Sequence, residues 1–320
     1  MKNLLLIAAI AALALTGCSS KVVTQDGTQE FPFLISTAAQ LKQLADEVNS
    51  GDDTRGKYYK LTADISLSDY QSGEGWTPIG GMINHANWSF FDHFDGGGHV
   101  ISDLKIVNPN NWNQDIGLFG YIGNGNEGSG SIRNLGVKGT VDAGNRDFVG
   151  GIVGRLSGKM EHCYWMGNVT GNENVGGCVG YSLSNASISH CWATGAVTGR
   201  KHVGGIVGYQ RGISVYLCVA LNEKIARTPP GSTEITFGRV VGKKEDGTHT
   251  SNVAWNNMPL PAGVPFTNDL NGKDGMSVGI LLIRQASSYE LYCPTPPWTR
   301  EDTKLPGLGG RTVDIPSYIN

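Results

Sequence analysis

Five short cassettes of glycine and aliphatic residues recur along this chain, and they constrain its fold more than any other feature. They are Ile116-Gly-Leu-Phe-Gly120, Val149-Gly-Gly-Ile-Val-Gly154, Val175-Gly-Gly-Cys-Val-Gly180, Val203-Gly-Gly-Ile-Val-Gly208 and the more divergent Phe237-Gly-Arg-Val-Val-Gly242. Their last glycines stand 34, 26, 28 and 34 residues apart. A period in this range marks a solenoid: each unit is too small to bury its own apolar face and does so by stacking on its neighbours.

A second phrase follows the cassettes at similar spacing. It reads Met160-Glu-His-Cys-Tyr-Trp-Met-Gly-Asn-Val169 and Ile188-Ser-His-Cys-Trp-Ala-Thr-Gly-Ala-Val197, with looser copies from Ile132, Val215, Ile101 and Thr250. Aligned, these give three apolar columns. The first holds Ile101, Ile132, Met160, Ile188 and Val215; the second Leu104, Leu135, Cys163, Cys191, Cys218 and Val253; the third Val141, Val169, Val197 and Ile225. Apolar residues at equivalent sites, separated by polar ones, indicate inward-pointing side chains on short strands. No segment between cassettes offers a helical apolar stripe of adequate length. The expected fold is all-β: a parallel β-helix whose coils of about 27 residues stack roughly 4.8 Å apart. Asn134, His162, His190 and Asn252 fall on one equivalent site, where a turn-shaping role outweighs metal binding, since no further ligand type recurs with them.

The ends read differently. Residues 1–17 have the pattern of a signal peptide, with Lys2, an apolar run from Leu4 to Leu15, and Leu15-Thr16-Gly17-Cys18. That last phrase resembles the lipobox of bacterial lipoproteins. The resemblance implies cleavage before Cys18 and acylation there, which would hold the protein to a membrane. Residues 18–30 would be a tether, and residues 31–100 an N-terminal cap and first coils. A helix is expected over 36–50, with Ser36 as N-cap, Leu41, Leu44, Ala45 and Val48 on one face, and Gly51 as stop. The repeats proper span 101–255. Eight of the 13 prolines lie between Pro259 and Pro316, so 256–320 reads as an irregular C-terminal cap with one last strand near Val278 to Ile283.

The Val-Gly-Gly-Ile-Val-Gly cassettes, alternating with Ile-Ser-His-Cys-Trp-Ala-Thr-Gly-Ala-Val, resemble GLUG-motif repeats. These occur in bacterial surface proteins, including lipoproteins of Bacteroides-type bacteria and IgA-protease-like adhesins. Phe33-Leu-Ile-Ser-Thr-Ala-Ala-Gln-Leu, Trp76-Thr-Pro-Ile-Gly80, Phe94-Asp-Gly-Gly-Gly-His99 and Leu305-Pro-Gly-Leu308 extend the likeness over roughly residues 31 to 310. It implies a right-handed β-helix at the cell envelope, on the outer membrane and its outer surface, with a role in adhesion. It supplies no catalytic residues. Lys21-Val-Val-Thr-Gln-Asp26 departs from the acidic export signal of such lipoproteins, so a periplasmic face stays open.

Formal net charge is −3, from 25 Lys and Arg against 28 Asp and Glu, and no basic stripe argues for nucleic acid. Cys163, Cys191 and Cys218 recur one per repeat. They read as small buried apolar residues, although strand-spaced neighbours also fall within disulfide range.

Candidate sites are few. Asp92 and Asp95 form the one tight acidic pair in a loop, and Asp before Gly shapes backbone, so a turn is favoured over a catalytic or calcium site. No catalytic residue, metal site or cofactor is assigned. Tyr121, Arg155, Tyr181, Tyr209 and Lys243 each follow the last glycine of a cassette and should stack as a ladder along one wall, suited to sugar rings or a partner's side chains. The residues before the cassettes, Asn145-Arg-Asp147, Asn172-Glu-Asn174 and Arg200-Lys-His202, should form a polar ridge. The expected function is a lipid-anchored, non-enzymatic scaffold that binds an unidentified protein or glycan. The alternative is a polysaccharide-binding or polysaccharide-cleaving protein on the same scaffold.

Overall fold

A computed structural model describes residues 25–51, 54–83, 86–110, 112–123, 130–228 and 236–319. The expected signal peptide, Cys18 and the first part of the tether lie outside the described residues. From Trp112 onward the chain visits three sheets in a fixed rotation. The first wall takes Phe33–Ile35, Tyr58–Leu61, His93–Asp95, Ser131–Asp142, Lys159–Thr170, Trp192–Gly199, Val219–Arg227, Val253–Trp255 and Met276–Val278, in chain order and in parallel. The second wall stacks Trp112–Ile116, Asp147–Gly150, Glu173–Gly176, Lys201–Gly204 and Phe237–Gly238. The third stacks Phe119–Ile122, Val153–Leu156, Val179–Ser182, Val207–Gln210 and Val241–Lys244. The fold is all-β, built from repeated coils, as the cassette spacing implies.

Register fixes the columns. Val141, Val169, Val197 and Ile225 pair coil to coil, and each is buried. Ile132, Met160, Ile188 and Val215 likewise form one interior column. Leu135 pairs with Cys163, and Cys191 and Cys218 continue that column as buried thiols.

Two columns differ from expectation at the ends of the repeat. Phe94, not Ile101, lies beneath Ile132, while Ile101 pairs with Val137 and Leu104 with Gly139. The cause is that Phe94 and Asp95 take the places below Ile132 and Arg133, after which the glycine turn at 96–99 adds residues before Ile101; a further one-residue irregularity falls between Val137 and Gly139. In the last coil Val253 pairs with Val219, which puts Asn252 into the cysteine column and Ser251 at the turn. Asn252 is fully buried there and is satisfied twice: its Oδ1 accepts from the Cys218 amide at 2.9 Å and its Nδ2 donates to the Val215 carbonyl at 2.8 Å.

Corners are made by non-glycine residues in the left-handed region. Asn134, His162, His190, Leu217 and Ser251 have φ between 51° and 55° and turn the first wall at one height in successive coils. Asp115, Phe148, Asn174 and His202, with φ of 55° to 68°, do the same just before each cassette. Asn and Asp tolerate this geometry best, so part of each column matches intrinsic preference and part is held by stacking. The His162 and His190 rings lie 5.0 Å apart.

The second glycine of the three central cassettes, Gly151, Gly177 and Gly205, has a different reason. A Cβ on Gly177 would lie 2.1 Å from the carbonyl oxygen of Gly205 one coil away, so the backbones approach too closely for any side chain.

The helix spans Ala38–Ser50 and buries Leu41, Leu44, Ala45 and Val48. Its N-cap is Thr37, not Ser36: Thr37 Oγ1 accepts from the Gln40 amide while Gln40 Oε1 accepts from the Thr37 amide, a reciprocal box that Ser36 cannot make one residue earlier. Gly51 closes it at φ 82°. Asn49 then fastens the helix to the first coils, donating to the Pro78 carbonyl and accepting from the Gly80 amide.

Beyond Trp255 the chain does two things. Residues 259 to 278 cover the last coil, with Pro259 accepting from Ile225 and the Lys273 carbonyl accepting from Val240 and Val241. The strand there is Met276–Val278, and Ile280–Ile283 is a short helix in place of the expected strand. Residues 298 to 319 instead fold back along the outside of the first wall. Trp192 Nε1 donates to the Pro306 carbonyl, Tyr318 Oη donates to the Leu221 carbonyl and accepts from the Gly195 amide, and Arg311 reaches Asp64 in the first coils. The C-terminal segment is therefore a strap on the flank of the stack as well as a cover for its end.

Candidate functional site

The third wall presents five outward residues in one row. Arg155 pairs in register with Tyr121 on one side and Tyr181 on the other, Tyr181 with Tyr209, and Tyr209 with Lys243. These are the residues that follow the last glycine of each cassette, and the stacking of coils brings all five together.

Neighbouring rungs contact one another through their rings, the Tyr181 and Tyr209 planes tilted by 39°. The Arg155 guanidinium carbon lies 4.0 Å from the Tyr121 ring centroid, Tyr181 and Tyr209 are 5.1 Å apart, and the Lys243 ammonium is 5.0 Å from Tyr209. Phe148 from the neighbouring corner stacks on Tyr181 at 4.9 Å and 26°, and His202 sits 4.9 Å from Tyr209. Ring faces are thus largely consumed within the row. Tyr121 is almost fully covered, whereas Tyr181, Tyr209 and Lys243 are half-buried. The row offers ring edges, phenolic hydroxyls and cationic heads, which suits hydrogen bonding along a strip better than the flat stacking of a sugar on an aromatic face.

One end of the row is anchored by a residue that sequence reasoning missed. Asp115 is fully buried, adopts φ 68°, and accepts from Arg155 Nη2 at 2.5 Å. Burial pushes its carboxyl up to about 7, against the opposing pull of Arg155. Its signal was present: Asp115 stands immediately before its cassette, as Phe148, Asn174 and His202 do before theirs.

The polar ridge forms beside this row, with a register one residue different for its first member. Asp147 pairs with Gln114 and Glu173 with Lys201, so Phe148, Asn174 and His202 share the corner site. The ridge is laced from coil to coil. Asp147 accepts from Asn172 Nδ2 and from the Glu173 amide, Arg200 donates to Asn172 and pairs with Glu173, and the His202 Nδ1 and Asn174 Oδ1 atoms are 2.7 Å apart. Burial raises the Asp147 carboxyl above the ordinary range.

Asp92 and Asp95 are occupied by backbone and neighbouring side chains. Buried Asp92 accepts from the Lys57 amide at 2.9 Å. Asp95 accepts from the Gly97 amide, shaping the turn, and also from Arg133 and Asn134. Among the described residues no group of three or more His, Cys, Asp or Glu side chains could hold a metal ion. Trp76 and Phe90 of the first coils belong to the core.

No protein-family model matches the chain. Over 173 residues it is 30% identical to a protein named halomucin from Haloquadratum walsbyi, and over 149 residues 34% identical to a "Putative Gly-rich membrane protein" from Evansella cellulosilytica. These stretches cover 52% and 45% of this chain but only 2% and 15% of the two relatives. Among solved structures it resembles a Bacteroides ovatus protein described as a putative immunoglobulin A1 protease, with a TM-score of 0.63 and 19% identity over 90% of this chain and 95% of that one. At that identity the likeness shows the fold alone.

Proposed function

We propose that the chain is a lipid-anchored cell-envelope protein: a right-handed parallel β-helix, closed at both ends, that acts without catalysis by presenting its third wall to a macromolecular partner. The observation that carries this reading is the unbroken row from Tyr121 through Arg155, Tyr181 and Tyr209 to Lys243, held in register by five successive coils. A row spaced by strand stacking presents its polar edges at a fixed repeat, so its match is an extended partner that can bond several rungs at once. The envelope setting is supported by the lipobox-like phrase ending at Cys18 and by the names of the two relatives, one a halomucin and the other a membrane protein.

Two measurements test it. Immobilised full chain is exposed to extracellular-matrix proteins and a glycan array, beside a variant carrying R155A, Y181A and Y209A whose circular dichroism matches the parent. Binding that vanishes in the variant supports the third wall; binding that survives unchanged refutes it. For the anchor, Cys18→Ser is expected to move the protein from the membrane fraction to the soluble fraction, and retention on the membrane would contradict the assignment.

A further inference from the structure

Where the strap folds back on the first wall it leaves a groove of about 260 Å³. One side is supplied by Asp64, Val100, Ser102, Lys138 and Tyr164, the other by residues 307 to 313 including Arg311 and Thr312. It lies on a different wall from the row of tyrosines and stands independently of any role for that row.

Three features make it a built site. First, its floor is cut by a glycine. Gly136 pairs with Val100 on one side and Tyr164 on the other, and a Cβ there would fall 2.3 Å from Tyr164 Cζ and 2.5 Å from Tyr164 Oη. Only a bare Cα lets the phenol lie down across the wall and carry its hydroxyl towards Val100. The ring is clamped from the other side by Trp192, at 4.5 Å and 3°. Burial raises the phenol to about 12, so it remains a hydrogen-bond donor at any physiological pH.

Second, the charge on the far wall of the groove is already paired across it. Arg311 donates to both oxygens of Asp64 and to the Gly98 carbonyl. His99 Nδ1 lies 3.3 Å from the same carboxylate. Arg311 and Asp64 neutralise each other.

Third, one lining charge is only partly balanced. The Lys138 ammonium makes no hydrogen bond or ion pair among the described residues, and it is half-buried. Its charge acts on Asp314 in the strap, but Asp314 is paired directly with Lys304, so two cations share one carboxylate. The groove thus carries a net excess of one positive charge, a phenolic donor, acceptor oxygens of Ser102 and Thr312, whose own protons go to Asp103 and Glu301, and apolar surface from Val100, Leu308 and Val313. Its volume is just below the roughly 300–1,000 Å³ of drug-sized sites. That lining, part hydroxylated and part apolar with a single cation, is complementary to one carboxylated ring.

We propose that the groove between the strap and the first wall binds an acidic sugar residue, a hexuronate, with Lys138 taking the carboxylate and Tyr164 and Asp64 holding ring hydroxyls. Saturation-transfer NMR and calorimetric titration of the full chain with sodium D-galacturonate and sodium D-glucuronate, with D-galactose as the neutral comparison, test this directly. Both uronates are expected to bind and galactose to bind at least about tenfold more weakly, the size of one charge-assisted hydrogen bond. Lys138→Gln should bring the uronates down to the level of galactose, Tyr164→Phe should weaken all three, and a Y181A/Y209A variant should leave every value unchanged. Absence of uronate binding, equal binding of galactose, or indifference to Lys138→Gln would overturn the proposal. Lys138 makes no hydrogen bond within the fold, so Lys138→Gln is expected to keep the parent's circular dichroism and melting temperature, and loss of binding in a variant that does so reads the site and not unfolding.

Discussion

Asp64 and Arg311, 247 positions apart in the chain, form an ion pair in which Arg311 Nη1 and Nη2 each donate to a carboxylate oxygen. The hydrogen bond from Arg311 is the main cause that holds the Asp64 carboxyl down at about 2. The pair marks where the strap reaches the first coils. Both side chains are 47% exposed, so solvent screens them, and the pair contributes little energy for so long a loop closure.

The strap is therefore held by packing and not by this ion pair. Arg311→Ala should cost under about 1 kcal/mol in urea unfolding. Trp298→Ala, which empties a site only 1% exposed beside Tyr164, should cost about 3–5 kcal/mol. Equal effects of the two substitutions would mean that the strap is docked electrostatically.

Close approach of coils at the cassettes gives a sharper test. Gly177→Ala places a methyl 2.1 Å from the Gly205 carbonyl oxygen, and neither backbone can retreat without breaking the coil above or below. A loss of about 1–3 kcal/mol is expected from thermal or denaturant unfolding. Gly310→Ala is the contrast for space alone: nothing lies within 4 Å of its Cβ, so its cost comes only from φ 78°.

The corner columns predict a gain. Leu217 holds φ 55° at a site where Asn134 stands in an earlier coil, and leucine has no local hydrogen bond to offset the strain. Leu217→Asn should raise stability by about 0.5–1 kcal/mol, read as a higher midpoint in urea. A lower midpoint would show that Leu217 contributes more by packing than it loses in backbone strain.

Asp115 makes stability depend on pH. Its folded carboxyl titrates at about 7, above the ordinary value of 3.8, because burial disfavours its charge. Between those values the folded state holds a proton that the unfolded state has lost, so the contribution of Asp115 falls as pH rises from about 4 to about 7. His249 works in the opposite sense. Burial lowers it from 6.5 to about 4, so its contribution is lost as pH falls through that window. The two are separated by Asp115→Asn: the melting-temperature difference between variant and parent should grow in the variant's favour from about pH 5 to about pH 8. A constant difference would mean that Asp115 stays ionised throughout.

Much of this architecture is legible in the sequence because the repeat is written in side chains that stack on their own copies. The third apolar column and the row from Tyr121 to Lys243 follow from spacing alone, since matching offsets from a cassette become matching heights on a wall. Legibility fails where spacing breaks. The glycine turn at 96–99, which lets Phe94 take the place below Ile132, moves Ile101 out of its expected column, and a single residue's slip in the last coil sends Asn252 inward. The groove was not readable at all. It joins the repeat residues Gly136 and Tyr164 to Asp64 and Arg311, which no period relates to them, and its floor depends on a glycine outside every cassette.

The central claim is that successive coils lie directly over one another in this register. Methyl-selective NOE spectroscopy on protein labelled at Ile and Val reads it without reference to function. Strong cross-peaks are predicted between Val169 and Val197 and between Val197 and Ile225, one coil apart, with a much weaker one between Val169 and Ile225, two coils apart. Absence of the first two, or a Val169–Ile225 peak of equal strength, would contradict the stack and with it the row, the ridge and the groove.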